Sequence, residues 1–131
     1  MKLTAAAMAA AMVLASAACR NADRRLEDSR ATLRSWTCAA RMAARERAAG
    51  NLSRPFLRVM AQATRRAAED EARDLEKLAR RSGAAAAADL AREARTLSDC
   101  ARRLAGGSDA DLSVVEASLT GLAAQIERHP R

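Results

Sequence analysis

Four stretches of the chain place apolar residues three and four apart, the rhythm of a helix with one buried side. At about 100° per residue, Leu26, Leu33, Trp36, Ala40, Ala43 and Ala44 share one stripe of a first predicted helix over residues 23–49, which Gly50 ends. A second is predicted over residues 54–81, with Phe56, Met60, Ala63, Ala67, Leu75 and Leu78 as its stripe. Ser53 or Arg54 caps it, Pro55 sits in the first turn where a missing N–H costs nothing, and Ser82-Gly83 stops it. The third, residues 85–105, starts within a run of alanines and aligns Leu90, Ala94, Leu97, Ala101 and Leu104 before Gly106-Gly107 breaks it. The fourth, residues 109–127, has Ser108 as N-cap and Asp109 and Asp111 in its positive first turn, then Leu112, Val115, Leu119, Leu122 and Ile126, with Pro130 beyond its end.

The connecting turns are short, so each helix is expected to run back along its predecessor, giving an all-α, antiparallel four-helix bundle. Composition agrees. There is no Tyr, Trp36 and Phe56 are the aromatics, and β-branched residues are few outside Val114-Val115, so a sheet has little to be built from. Separate solenoid repeats are excluded, because the segments differ in length and share no signature at a fixed period.

Ahead of the first amphipathic stretch the pattern changes. Lys2 is followed by an uncharged run over residues 3–18 that closes on Ala15, Ser16, Ala17 and Ala18, with Cys19 next. A short positive start, an apolar centre and small residues at the end are the features of an export signal, and the run is shorter than the roughly 20 residues that span a bilayer. The segment from Ala17 to Cys19 resembles the lipobox of bacterial lipoproteins, in which the residue after the cut is a Cys that carries diacylglycerol. The resemblance implies lipidation of Cys19, and Arg20 in the following place, where Asp would retain a lipoprotein at the inner membrane, implies the outer membrane. Ser16 stands where that family usually has an aliphatic residue, so ordinary cleavage after Ala17, giving a soluble periplasmic or secreted protein, stays open. Either way the chain divides into a signal at residues 1–18 and one domain at residues 19–131, large enough for a modest core.

Cysteine number bears on the same question. Three cysteines in an exported chain leave an odd thiol, and lipidation of Cys19 leaves Cys38 and Cys100 to pair. They lie roughly 24 and 22 Å from the starts of the first and third helices, which run parallel in the expected bundle. A Cys38–Cys100 bridge would contribute about 4 kcal/mol on the chain-entropy view. Against it, Cys38 lies roughly 160° around its helix from the leucine stripe.

Charge is unevenly spread over a chain of formal net charge +7. Between residues 34 and 66, Arg34, Arg41, Arg45, Arg47, Arg54, Arg58, Arg65 and Arg66 face Glu46 alone. This basic pole at the first hairpin is the candidate docking surface for an envelope protein or an anionic glycan or lipid. Nucleic acid is not expected, since no aromatic platform accompanies the arginines and export removes the chain from the cytoplasm. The acidic group Glu69, Asp70, Glu71, Asp74 and Glu76 lacks the turn of a calcium loop and reads as a solvated face balanced by Arg73, Lys77, Arg80 and Arg81. His129 is the single histidine and neighbours Pro130. No set of Asp, His, Cys or Ser falls on one helix face, so neither catalysis, nor a metal, nor a cofactor is expected.

The leading functional expectation is therefore a non-catalytic envelope lipoprotein, held at the membrane through Cys19 and acting as a docking or adaptor protein. In plan it is similar to secretin pilotins, small lipidated helical domains with a disulfide. A soluble periplasmic helical chaperone or stress protein is the alternative. A third reading starts from Leu26-Glu27-Asp28 with Thr32-Leu33, which resembles the opening helix of small periplasmic b-type cytochromes, and from His129 near the end. That resemblance implies haem, but Arg30 occupies the place of the family's methionine ligand.

Overall fold

A computed structural model of the protein describes residues 2–128, and side-chain surroundings from residue 6 onward. The described chain is all-helical: α1 (Lys2–Ala48), α2 (Arg54–Ser82), α3 (Ala85–Gly106) and α4 (Leu112–Arg128), with a single 3-10 turn at Asp109–Asp111 ahead of α4. No strand occurs among the described residues. His129 and Pro130 lie outside them.

Helix α1 is longer than the amphipathic pattern predicts because nothing interrupts it. From residue 2 to residue 48 the sequence holds neither Gly nor Pro and is rich in Ala and Arg, the residues that give up least on entering a helix. Its two halves differ sharply in surroundings. Residues 6–21 are all exposed, and the first buried side chain is Arg30.

The other ends are set by the capping residues that the sequence offers. Ser53, in extended conformation, accepts the Phe56 N–H at 3.4 Å with its Oγ, and Pro55 occupies the first turn of α2. Gly83 closes that helix at φ 64°, where a side chain would be strained, and donates its N–H to Ala79 O at 2.9 Å. After α3, Gly107 donates to Arg103 O at 2.7 Å in a turn so tight that a Cβ at this position would come within 2.6 Å of the same carbonyl oxygen. Asp111 then reaches back to the Ser108 N–H at 3.2 Å, completing a capping box.

The core is a framework of leucines filled in with alanine. Leu33, Leu75, Leu90, Leu97, Leu119 and Ile126 are essentially sealed from water, each contributing roughly 1.5–3 kcal/mol of burial. Between them Ala68 and Ala72 on α2 and Ala94 and Ala101 on α3 are fully buried, and α2 and α3 form the most extensive interface of the molecule. Residues this small bring helix axes toward the near end of the usual 8–10 Å range. The hydroxyls that enter the core are satisfied locally: Thr37 Oγ1 donates to Leu33 O at 2.7 Å and Thr64 Oγ1 to Met60 O at 2.9 Å.

Two expectations are corrected. The stripe of α2 begins at Leu57 rather than Phe56 and runs through Ala61, Thr64, Ala68 and Ala72 to Leu75 and Leu78. Counting back from the two leucines by threes and fours reaches Leu57. Phe56, one residue away, is rotated by about 100° and left 53% exposed. The Cys38–Cys100 bridge is absent. Both thiols are free and not at bonding distance, Cys38 on the exposed side of α1 and Cys100 buried within α3 beside Leu97 and Leu104. The cause is angular. Cys38 follows the sealed Leu33 by five residues, about 140° around the helix, so matching heights could not bring the sulfurs together. Burial pushes the Cys100 thiol above its ordinary value, with nearby Arg103 opposing and Asp99 adding to the shift.

Two outcomes are expected from this packing. Leu97→Ala lowers unfolding free energy by about 2–5 kcal/mol in denaturant titration, since the sealed site opens a cavity. A thiol reagent at neutral pH modifies Cys38 promptly and Cys100 only after denaturant is added, and a reductant leaves the melting temperature unchanged; a reductant-sensitive melting temperature would restore the bridge.

Candidate docking surface

The arginines at the first hairpin are held by acids from elsewhere in the chain. Arg34 and Arg45, on α1, pair with Glu127 and Glu116 of α4, each Nε lying 2.5 Å from a carboxylate oxygen. Arg47 and Arg54 converge on Asp109. Arg47 Nη2 lies 3.0 Å from one oxygen of that carboxylate, and Arg54 Nη2 lies 3.2 Å from the other. Each guanidinium also donates from Nη1 to a backbone carbonyl: Arg47 to Leu52 O at 3.0 Å and Arg54 to Gly107 O at 3.1 Å. Asp109 is thereby a clasp that joins the end of α1, the start of α2 and the connection between α3 and α4. Arg65 Nε lies 3.6 Å from Glu69 Oε1 within α2.

Three of the eight arginines remain. Arg41 is half-buried, its Nε without a hydrogen-bond partner, while Arg58 and Arg66 are exposed with no ion pair among the described residues. Of the +7 excess counted along residues 34–66, four charges are thus answered in space by Asp109, Glu116, Glu127 and Glu69. A signal for this was present in the sequence. Arg34 and Arg45 are eleven residues apart, as are Glu116 and Glu127, and eleven residues make three helical turns, so each pair falls on one face.

Asp109 shows the electrostatic consequence. The hydrogen bond from Arg47 holds its carboxyl below the ordinary carboxylate range, assisted by the charges of Arg47 and Arg54 and opposed by partial desolvation.

The acidic residues of α2 are dispersed in the same manner. Asp70 pairs with Arg73, Glu76 with Arg95 of α3 at 2.5 Å, and Glu69 also accepts from Ser98 Oγ at 3.3 Å. Arg95 is a partner that reading α2 alone does not supply. No cluster of three or more metal-ligating side chains occurs among the described residues. Arg30 is 7% exposed and its Nη1 lies 2.7 Å from Glu27 Oε2, while its Nε has no partner. Cys19 is exposed, in a shallow groove where Ala18, Cys19, Ala22 and Arg25 of α1 pass Leu78 and Arg81 of α2. No helix among the described residues is long and apolar enough to cross a membrane.

No protein family model, curated protein or solved structure matches the chain.

Because the folded-state carboxyl of Asp109 is depressed, its contribution to stability is complete above the unfolded value near 4 and is lost as pH falls through the lower folded value. Asp109→Asn therefore melts at lower temperature than the parent at pH 7, and the two melting curves converge under strongly acidic conditions. A difference that persists there would mean that the clasp acts through packing instead.

Proposed function

We propose that the protein is exported, that residues 1–18 are removed, and that Cys19 then carries lipid, leaving residues 19–131 as a non-catalytic docking domain on the periplasmic face of the outer membrane. One observation carries this reading: the stretch with the composition of an export signal adds nothing to the core. Met8, Met12, Val13 and Leu14 are each at least two-thirds exposed, although they are among the most apolar side chains of α1. Burying them would be worth several kcal/mol in total, so a helix that leaves them in water is suited to insertion elsewhere or to removal. Cutting before Cys19 would take away no buried residue among residues 6–18.

In this reading the four helices run antiparallel. The cross-helix ion pairs support that arrangement, since Arg34 meets Glu127 and Arg45 meets Glu116, the numbers rising on α1 as they fall on α4. The hairpin between α1 and α2 then lies at the end away from Cys19, presenting its surface to a partner in the envelope, an envelope protein or an anionic glycan or lipid. Arg58, exposed and without an ion pair among the described residues, is the cation of the basic pole left to contact it, whereas Arg34, Arg45, Arg47 and Arg54 serve the fold first.

Intact-mass analysis of the protein from membrane fractions, combined with palmitate labelling, tests the reading. The expected species begins at Cys19 with a diacylglycerol adduct, and Cys19→Ser loses both the label and membrane association. Recovery of a chain still carrying Met1 would overturn export. An exported chain with an unmodified thiol at Cys19 would favour the soluble periplasmic protein.

A further inference from the structure

The face of the bundle opposite the α1–α4 ion pairs carries an apolar groove that the fold leaves open. Met42 on α1 and Phe56 on α2, 60% and 53% exposed, line it with Ala39, Leu52 and Met60, and Val59, one turn beyond Phe56 on α2, is 61% exposed. Three large apolar side chains gathered in one place differ from the scattered exposure that any surface shows.

The charges at the rim indicate what covers it. Glu46 lines the same groove beside Phe56, and its carboxylate is met by the Asn51 amide Nδ2 at 3.0 Å but by no cation among the described residues. Arg66 does not line the groove but lies seven residues, two helical turns, beyond Val59 on the same face of α2, about 10 Å further along, and has no ion pair either. Val59 and Met60 fall between these two levels. A surface with an apolar centre, an unmatched anion at one end and an unmatched cation at the other is complementary to itself under a two-fold rotation through that centre. A uniformly acidic partner would meet Glu46 with like charge.

We propose that this groove is the interface of a homodimer, in which Met42, Phe56 and Val59 pack against the same residues of a second copy and each Glu46 meets the Arg66 of the partner. Cys38 lies one turn before Met42 on the exposed side of α1, so the dimer brings two Cys38 thiols near its axis. The arrangement stands whether or not Cys19 is acylated.

The test uses the full chain expressed in its host and purified as processed. A long-armed bismaleimide should give a covalent dimer whose tryptic digest joins two peptides of residues 35–41, the fragment that carries Cys38; cross-links through Cys19 or Cys100 appear in different fragments. Val59→Glu and Glu46→Lys should each weaken dimerisation about tenfold or more in sedimentation or light scattering while helicity by circular dichroism stays at the parent level. Combining Glu46→Lys with Arg66→Glu should restore it, which a merely destabilised variant would not do. A parent protein that is monomeric at tens of micromolar overturns the proposal, as does a Cys38 cross-link that survives Val59→Glu. A monomer whose groove is shielded from labelling only in envelope extract would likewise overturn it, and would assign the groove to a different protein.

Discussion

Close approach of α2 to α3 is the constraint on which the rest of the structure depends. Alanine buries little area, so a core with Ala68, Ala72, Ala94 and Ala101 at its centre gains stability only if the backbones come near enough for leucines to reach across. Leu75, Leu90 and Leu97 do this, each sealed from water. The bulky apolar residues of the hairpin, Phe56 and Met42, fall outside the buried stripes of their helices and stay exposed. Their exposure is the property that makes the α1–α2 groove available to another molecule.

A second layer of specification is electrostatic. A leucine–alanine seam has weak preferences for register, because alanines one turn apart are interchangeable. Arg34 with Glu127, Arg45 with Glu116, and the two guanidinium groups on Asp109 are not interchangeable, since sliding α4 by one turn would break all of them. Exposed pairs of this kind are individually worth less than about 1 kcal/mol. Their contribution lies more in selecting one alignment among several of similar burial than in adding to stability.

Most of the helical architecture was legible from periodicity and punctuation. The stripes of α3 and α4 are buried at each position that the spacing names, and Ser53, Gly83 and Ser108 terminate helices as their chemistry requires. Two things were not legible. The α2 stripe is offset by one residue because alanine gives no contrast between faces, so a large residue such as Phe56 dominates the pattern without deciding it. Of the surface, the arginines could be counted but their partners could not, as Asp109, Glu116 and Glu127 lie more than fifty residues away along the chain. The eleven-residue spacing shared by Arg34–Arg45 and Glu116–Glu127 was the available clue. Cys38 shows the complementary limit, where axial height agreed with a bridge and azimuth forbade it.

The continuity of α1 also bears on the timing of any processing. A peptidase takes its substrate as an extended strand, so a cut between Ala18 and Cys19 requires several turns of α1 to unwind. Around that junction the side chains from residue 14 to residue 21 are exposed, and packing against the core begins with Leu26. Unwinding would therefore forfeit local backbone hydrogen bonds and almost no packing, and the bundle can remain assembled while its leading strand is threaded into an enzyme. A cut at this junction, were it made, would leave the packing of the bundle in place, so it would not have to precede or follow folding.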